Sequence, residues 1–264
     1  MTLRDAVDGT VVDLGLMATV VFVHAHPDDE ALFTAGTMAR AAAEGQRVVL
    51  ITATDGAAGL TGAEFADDLA THRSTELAES ARILGVDALH SLGYADSGLH
   101  AEVADGFAHQ SSEVIAQRIA DLARAEGADV VVGYDPAGGY GHPDHLQVHR
   151  SVRAASALLG PRVRLFEATL PREPIAGAVR LAARLGFTPA DFDPKEFADA
   201  FTSRRHITHR VDVHRFLDQK RASMKAHASQ SSADDSTRTL AVLAGLPGPV
   251  FARLLGTEYY VAVR

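Results

Sequence analysis

The sequence predicts an α/β protein with a Rossmann-like, doubly wound and mostly parallel sheet. Short runs rich in Val, Ile and Leu recur along the first two thirds of the chain, and Ala-rich amphipathic segments separate them. These apolar runs lack the period-2 alternation of half-exposed strands, as expected of strands that are buried on both faces. The alternation of buried strands with helices indicates right-handed crossovers within one sheet.

Six segments are predicted as strands. Four are the buried parallel strands at residues 18–25, 47–54, 129–134 and 162–169. Two come late in the chain: residues 206–213, whose alternation suits an edge strand, and the terminal residues 258–264. The strands therefore fall into an early parallel set and a late pair.

Five segments have the apolar spacing of helices, at residues 29–45, 71–86, 111–127, 145–160 and 214–230. The first, third and fourth end at a glycine, the residue that is favoured at the end of a helix. Each of the first four lies between two apolar runs or follows one, so they supply the crossover helices.

The chain is predicted to form a single domain over residues 1–264, which is an ordinary size for one large domain. The core is expected at about residues 14–170. Residues 171–204 begin with a proline-rich stretch, which predicts an irregular helical excursion that resembles a lid. Residues 205–264 are expected to complete the sheet with a helix and strands.

The composition disfavours several classes of function. The chain has 34 acidic and 25 basic side chains, a net charge of −9, which is unsuited to binding nucleic acid or an anionic membrane. There is no Cys, so any metal must be held by carboxylates and by the 13 His. The apolar stretch at 14–25 lacks the positive flank of a signal peptide, and no segment reaches the roughly 18 apolar residues of a membrane span. We therefore expect a cytoplasmic protein.

Two His-Pro-Asp segments follow predicted strands. HPDDE at 26–30 comes after the first buried strand, and HPDH at 142–145 comes shortly after the third. The carboxyl ends of parallel strands gather at one edge of a sheet, where ligands bind, so we expect the two segments to meet. A single His-Pro-Asp is weak evidence, because it also suits a turn that caps a helix. Its repetition at matching positions favours a functional site.

The spacing within the two segments predicts a metal site. His26 and Asp29 are three residues apart, as are His142 and His145, and in a helical turn such pairs share one face with Cβ atoms about 5–6 Å apart. His26, Asp29 and His145 would give three ligands and leave a fourth position open, as in catalytic zinc sites. Asp28 points elsewhere and would lie beside the ion, placed to take a proton from water. Ferrous iron also suits this ligand set.

The motifs AHPDDE and GHPDH resemble those of the PIG-L/LmbE-like family of zinc-dependent N-acetyl-sugar deacetylases. The resemblance covers nearly the whole chain: residues 73–86 are similar to the family's Arg-x-x-Glu-Leu helix, 92–99 to its Tyr-x-Asp-Ser-Gly loop, and 220–230 to its His-x-Ser-Gln helix. The nearest branch is the mycothiol-pathway branch, which comprises an N-acetylglucosaminyl-inositol deacetylase and a mycothiol-conjugate amidase.

The resemblance implies a role for each of several residues. It assigns the metal to His26, Asp29 and His145, the general base to Asp28, oxyanion stabilisation to Tyr140 and His142, the orientation of His142 to Asp144, and substrate contacts to Arg73 and Asp96. His227 lies in the late family motif, but the residues alone assign it no role. Residues 54–62, TDGAAGLTG, depart from the branch, in which many relatives have Gly-Glu, and this leaves the sugar substrate open.

The expected activity is that of a zinc hydrolase that removes an N-acetyl group from an amino sugar or glycoside of the N-acetylglucosamine type. Two alternatives stay open: an amidase acting on a larger N-acyl conjugate of the mycothiol type, and a sugar-binding or metal-storing protein without turnover. NAD binding is disfavoured, because no G-x-G-x-x-G follows the first strand. The expected partner is a small molecule, and a homo-oligomer is possible.

Overall fold

A computed structural model describes residues 2–3, 12–13, 17–56, 66–99, 101–184, 199–227 and 235–263. Its main strands are β3 (Thr19–His24), β4 (Arg47–Thr54), β5 (Ala88–Tyr94), β6 (Val130–Tyr134), β7 (Arg164–Thr169), β8 (His209–Asp212) and β9 (Thr257–Val263). Two short strands, β1 (Thr2–Leu3) and β2 (Val12–Asp13), pair with each other outside the main sheet.

The main sheet has seven strands in the order β5-β4-β3-β6-β7-β9-β8. The first five in this order run parallel, whereas β9 is antiparallel to both β7 and β8. The predicted α/β fold with a mostly parallel sheet is therefore confirmed. β3 lies between β4 and β6, and the strand order reverses there, so a crevice is expected at the carboxyl ends of β3 and β6.

Nine α-helices are described: α1 (Asp29–Phe33), α2 (Ala35–Ala43), α3 (Ala66–Leu84), α4 (Ser112–Ala125), α5 (Pro143–Leu159), α6 (Arg172–Arg184), α7 (Leu217–Ala226), α8 (Asp235–Ala244) and α9 (Gly248–Leu255). Single 3-10 turns occur at Phe107–His109, Arg204–His206 and His214–Phe216. In the described part of the chain, no helix is both long and apolar enough to cross a bilayer.

The sheet interior explains the continuous apolar runs. All six residues of β3 are buried, and so is every residue of β4 after Arg47. Neither strand has a solvated face, so neither sequence alternates between apolar and polar residues. The core of the molecule thus lies directly beneath the carboxyl ends of these two strands.

Besides the short strands β1 and β2, which were not predicted, three parts of the secondary structure differ from the sequence prediction. The helix expected over 29–45 breaks at Thr34, whose hydroxyl oxygen lies 2.8 Å from His24 Nε2. β5 was not predicted, because it is an edge strand and only Leu92 in it is buried. The helices α8 and α9 were not predicted either.

The excursion after β7 begins with α6, and residues 185–198 lie outside the described residues. Its two ends are fastened together. The guanidinium of Arg172 donates to the carbonyls of Asp199, Ala200 and Phe201, and the Arg172 N–H donates to Thr202 O at 3.0 Å. The chain therefore leaves the sheet and returns to it at nearly the same point.

Candidate metal centre

The loops after β3 and β6 meet at the carboxyl edge of the sheet. β3 ends at His24 and leads into His26 and Asp29, while β6 ends at Tyr134 and leads through a glycine-rich loop into α5. The rings of His26 and His145 lie with centroids 5.3 Å apart. The fold thus brings the two His-Pro-Asp segments together.

The carboxylate of Asp29 lies between two histidines. Its Oδ2 is 3.3 Å from His26 Nδ1, and its Oδ1 is 3.2 Å from His145 Nε2. Asp29 Oδ2 also accepts a hydrogen bond from the His26 backbone N–H at 2.9 Å, which fixes the orientation of the carboxylate. All three residues are buried.

His145 is held in one tautomer. Its Nδ1 lies 3.1 Å from the carbonyl oxygen of Gly138, and because a carbonyl only accepts, Nδ1 carries the proton. In the neutral ring, Nε2 then presents a lone pair towards Asp29. Nε2 is buried and makes no hydrogen bond within the described part of the protein. A buried lone pair that faces a carboxylate oxygen fits a site that needs a cation.

The ring of Tyr134 packs against the ring of His145. The two rings are stacked, with centroids 4.2 Å apart and planes 10° from parallel. The Tyr134 hydroxyl accepts a hydrogen bond from the Ala25 N–H at 3.1 Å, so one side chain joins the ends of β3 and β6. The sequence analysis missed this residue, because a tyrosine at the end of a buried strand looks like core.

His26 is oriented by carboxylates on its other side. Its Nε2 lies 3.1 Å from Asp144 Oδ2 and 3.5 Å from Asp96 Oδ1. Burial alone would lower the pKa of His26, but hydrogen bonds to Asp144, Asp29 and Asp96 outweigh it and raise that pKa well above its usual value. With Nε2–H directed at Asp144, Nδ1 is the nitrogen that would bind a metal, with loss of its proton.

The role expected for Asp144 needs correction. We expected it to orient His142, but its carboxylate contacts His26 instead and also accepts the Ser97 N–H at 3.0 Å. What reaches His142 is the Asp144 backbone N–H, which donates to His142 Nδ1 at 3.1 Å. The reason is local: His142 is the N-cap of α5, so its ring accepts from the first turn of that helix.

His142 is consequently a neutral hydrogen-bond donor. Because Nδ1 accepts the Asp144 N–H, the proton lies on Nε2. Burial is the main cause that lowers the pKa of His142 to about 4. An imidazole that stays neutral near pH 7 and carries N–H at Nε2 is suited to stabilising a developing oxyanion.

Among the described residues, two groups of side chains have ligand atoms that all lie within 4.8 Å of one another, and neither is the set predicted from the sequence: His26 with His142 and His145, and His26 with Asp96 and Asp144. The first would need the Nε2 lone pair of His142, which the capping bond makes unavailable. The second would need His26 Nε2 to lose the proton that faces Asp144. The hydrogen bonds therefore favour His26 Nδ1, Asp29 and His145 Nε2 as the metal-binding set.

Asp28 lies beside this set in a strained conformation. Its φ is 121°, a region that non-glycine residues rarely adopt, and the side chain makes no capping bond to α1. Burial and the negative charge of Asp29 raise the pKa of Asp28 to about 7. A carboxylate with such a pKa is suited to taking a proton near neutral pH.

Behind Asp28 lies a buried polar network that the sequence analysis did not predict. Glu30 Oε2 accepts the Asp28 N–H at 3.0 Å, and Glu30 Oε1 lies 2.6 Å from both Ser80 Oγ and His227 Nε2. Burial would raise the pKa of Glu30 and lower that of His227, but their mutual attraction outweighs burial and shifts both pKa values in the opposite directions. His227, which the sequence left without a role, thus pairs with the third acid of HPDDE.

The remaining predicted residues lie near the same set of side chains. Tyr140 is half-buried, with its ring centroid 4.9 Å from that of His145. Arg73 is buried on α3, where its charge offsets part of the rise in the pKa of Asp28. Asp96 is 8% exposed, and its Oδ1 accepts the Gly98 N–H at 2.9 Å while it faces His26. Ala57 and Ala58 belong to the 54–62 segment that departs from the mycothiol-pathway branch, and they lie outside the described residues.

Comparisons with known proteins show the family to which the chain is related. The family model PIG-L, described as GlcNAc-PI de-N-acetylase, matches residues 21–156. A protein of Acidothermus cellulolyticus named 1D-myo-inositol 2-acetamido-2-deoxy-alpha-D-glucopyranoside deacetylase is 35% identical, over 94% of this chain and 90% of its own. A protein of the same name from Streptomyces griseus is 37% identical, over 93% of this chain and 83% of its own.

A solved structure supports the fold independently. The N,N'-diacetylchitobiose deacetylase from Pyrococcus horikoshii superposes with a TM-score of 0.59 at 21% identity, covering 93% of this chain and 83% of that chain. The resemblance predicted from the sequence is thus confirmed by a family model and by relatives that match along almost the whole length. This chain belongs to the PIG-L family of GlcNAc-PI de-N-acetylases.

Proposed function

We propose that this protein is a metal-dependent hydrolase that removes the N-acetyl group of an N-acetylated amino sugar or its glycoside. One observation carries the proposal: the carboxylate of Asp29 lies 3.3 Å from His26 Nδ1 and 3.2 Å from His145 Nε2. His26 Nε2 is engaged by Asp144, and His145 Nδ1 is engaged by the carbonyl of Gly138. The remaining nitrogens, His26 Nδ1 and His145 Nε2, both face Asp29.

His26, Asp29 and His145 would hold the metal. This set of two imidazoles and one carboxylate suits zinc, our first choice, and ferrous iron is the second. When bound, such a cation supplies Lewis acidity, which lowers the pKa of water and polarises a carbonyl group. The cation would also satisfy the buried lone pair of His145, which has no hydrogen-bond partner among the described residues.

Asp28 takes the proton from the attacking water in this proposal, because it lies beside the metal ligands with a pKa raised to about 7. As the water oxygen adds to the amide carbonyl, negative charge grows on the carbonyl oxygen. His142 donates its Nε2–H to that oxygen, and Tyr140, whose ring centroid lies 6.1 Å from that of His142, assists. Asp28 then returns the proton to the leaving amine, so that acetate and a free amino sugar are the products.

For the substrate we propose an amino-sugar glycoside in which Arg73 and Asp96 contact the sugar hydroxyls. The curated relatives are named for 1D-myo-inositol 2-acetamido-2-deoxy-alpha-D-glucopyranoside, which makes that compound the first probe. Simple N-acetylated sugars without the inositol form the comparison set. An amidase acting on a larger conjugate is the second candidate, and the identity of the released acid separates the two.

The test is an acetate-release assay on these compounds with protein of known metal content, run with and without a chelator. We expect about one metal ion per chain, loss of activity with the chelator and recovery when zinc is restored. Asp28→Asn should keep the metal and lose about 100-fold or more of the turnover. Near-native turnover of Asp28→Asn would refute the role of Asp28, and turnover by chelated, metal-depleted protein would refute the metal dependence.

A further inference from the structure

Asp28 has a backbone conformation that its own residue type disfavours. Its φ is 121°, and the described residues hold only two other non-glycine residues with positive φ, Ala101 and Phe201. Such strain persists only where surrounding structure over-determines it. The question is what holds the Asp28 backbone in place.

The Asp28 N–H is engaged by the side chain two residues ahead. It donates to Glu30 Oε2 at 3.0 Å, while the Asp28 carbonyl accepts the Ala31 N–H at 3.0 Å. The peptide on each side of the Asp28 Cα is therefore tied to α1. Relaxation to negative φ would break the bond to Glu30 and turn the Asp28 side chain away from Asp29.

Glu30 can hold this N–H only because its other oxygen is fixed from two sides. Oε1 accepts a hydrogen bond from Ser80 Oγ on α3 and lies 2.6 Å from His227 Nε2 at the end of α7. Glu30 and Ser80 are fully buried, and His227 is 3% exposed. A buried carboxylate held at three points has little freedom to rotate, so the position of Oε2 is set by α3 and α7.

We propose that Glu30 is a positioning residue that holds the strained backbone of Asp28, with His227 fixing Glu30 from the C-terminal part of the chain. The inference rests on the proposed function, in which Asp28 is the base. It goes further because it gives Glu30, the third acid of HPDDE, and His227, the histidine of the late motif, one shared role in positioning Asp28. Neither residue touches the substrate in this assignment.

The chemistry of the network supplies a conservative rescue. In Glu30→Gln, the amide oxygen can still accept the Asp28 N–H, while the NH2 group faces Ser80 and His227. The Ser80 hydroxyl can accept a hydrogen bond from this NH2 group instead of donating one, and neutral His227 can present a lone pair at Nε2. Both partners can therefore still bind the side chain in Glu30→Gln. Glu30→Ala removes the holding group altogether. The two variants therefore separate loss of geometry from loss of charge.

The experiment compares steady-state kinetics, metal content and melting temperature for wild type, Glu30→Ala, Glu30→Gln and His227→Ala. Glu30→Ala should lower kcat about 100-fold with KM changed less than about 3-fold, because a misplaced base affects the reaction step and not substrate binding. Glu30→Gln should recover most of the loss, and His227→Ala should fall between the two. Metal content should stay at the wild-type value in all of them.

The matched control is Asp129→Ala. Asp129 Oδ2 accepts the Thr19 backbone N–H at 2.8 Å at the amino end of β3, so this variant also loses a bond from a backbone N–H to a carboxylate, but at the opposite end of the sheet. It should change the melting temperature without changing kcat. A fall in kcat for Asp129→Ala equal to that for Glu30→Ala would mean that general destabilisation is being measured, and would overturn the assignment.

A readout independent of activity keeps this test separate from that of the proposed function. Crystal structures of wild type and Glu30→Ala should show Asp28 with positive φ in the first and negative φ in the second. If Asp28 keeps its positive φ in Glu30→Ala, Glu30 is not the holding group, whatever the protein hydrolyses. If wild type hydrolyses no N-acetylated sugar but Asp28 relaxes as expected, the proposed function fails and the holding role stands.

Discussion

The Asp144 backbone N–H donates to His142 Nδ1 at 3.1 Å, and this single bond decides that Nε2 is the nitrogen of neutral His142 that carries the proton. We expect His142→Ala to lower kcat by about 100- to 1,000-fold, the usual effect of losing one oxyanion donor. His142→Asn retains an N–H donor and should restore part of the rate. The measurement is kcat for acetate release, and equal rates for the two variants would contradict a donor role.

Removal of the central carboxylate should abolish metal binding. Asp29→Asn takes away the charge that lies between His26 Nδ1 and His145 Nε2, so the two imidazoles lose their shared anionic partner. We expect less than a tenth of the wild-type metal after dialysis, together with loss of the stabilisation that bound metal gives. Metal analysis and melting curves with and without added zinc check this. Asp129→Asn, remote from the site, should bind metal like wild type.

The pair formed by His227 and Glu30 predicts how stability depends on pH. The attraction of Glu30, Asp28 and Glu76 outweighs burial and raises the pKa of His227 above its usual 6.5, so its contribution is complete below that pH and is lost as pH rises through the folded value. The pKa of Glu30 is lowered from 4.5, so its contribution is complete above that pH and is lost at lower pH.

Melting temperatures of wild type and His227→Gln should therefore differ most between about pH 4.5 and 6.5, and the difference should narrow as the pH rises further. Exposed His72 provides the control, because His72→Gln should change the melting temperature little at any pH. A difference that widens above pH 6.5 would contradict the pairing of a charged His227 with Glu30.

A second buried pair predicts a large effect on stability. Lys220 Nζ lies 2.5 Å from Glu258 Oε1, and Glu258 accepts the N–H groups of Gly36 and Thr37 at the start of α2. Lys220→Met leaves a buried carboxylate without its cation, which costs about 3–5 kcal/mol of unfolding free energy. Urea denaturation measures it. Exposed Lys225 on the same helix is the control, since Lys225→Met should cost less than about 0.5 kcal/mol.

Much of the fold was predictable because buried parallel strands have a distinctive sequence pattern. β3, β4 and β6 are buried on both faces, and their apolar runs predicted them within one or two residues. β5 was missed for the opposite reason: most of its residues are partly exposed, so its sequence resembles a loop. The break at Thr34 depends on a contact with His24, which no local pattern contains.

The site was predictable where ligands lie close together in the chain, and less so where a contact joins distant segments. His26 and Asp29 come from one turn, and the repeated His-Pro-Asp pointed to His145. The pairing of Glu30 with His227, and of Asp144 with His26, depends on how α7 and α5 pack against the loop after β3. The sequence shows that acids and histidines are present, but it does not show which acid comes into contact with which histidine.

The hydrogen bonds made by Arg172 make the excursion after β7 a self-contained insertion in the fold. Both of its ends are pinned to each other by one guanidinium and by the Arg172 N–H, independently of what lies between them. The excursion can therefore differ in length or sequence without any change in the order or connections of the strands. A graft of the excursion would need to keep Arg172 with the carbonyls of 199–202, and also the bonds from Thr202 N–H to Thr169 Oγ1 and from Arg204 N–H to Glu173 Oε2.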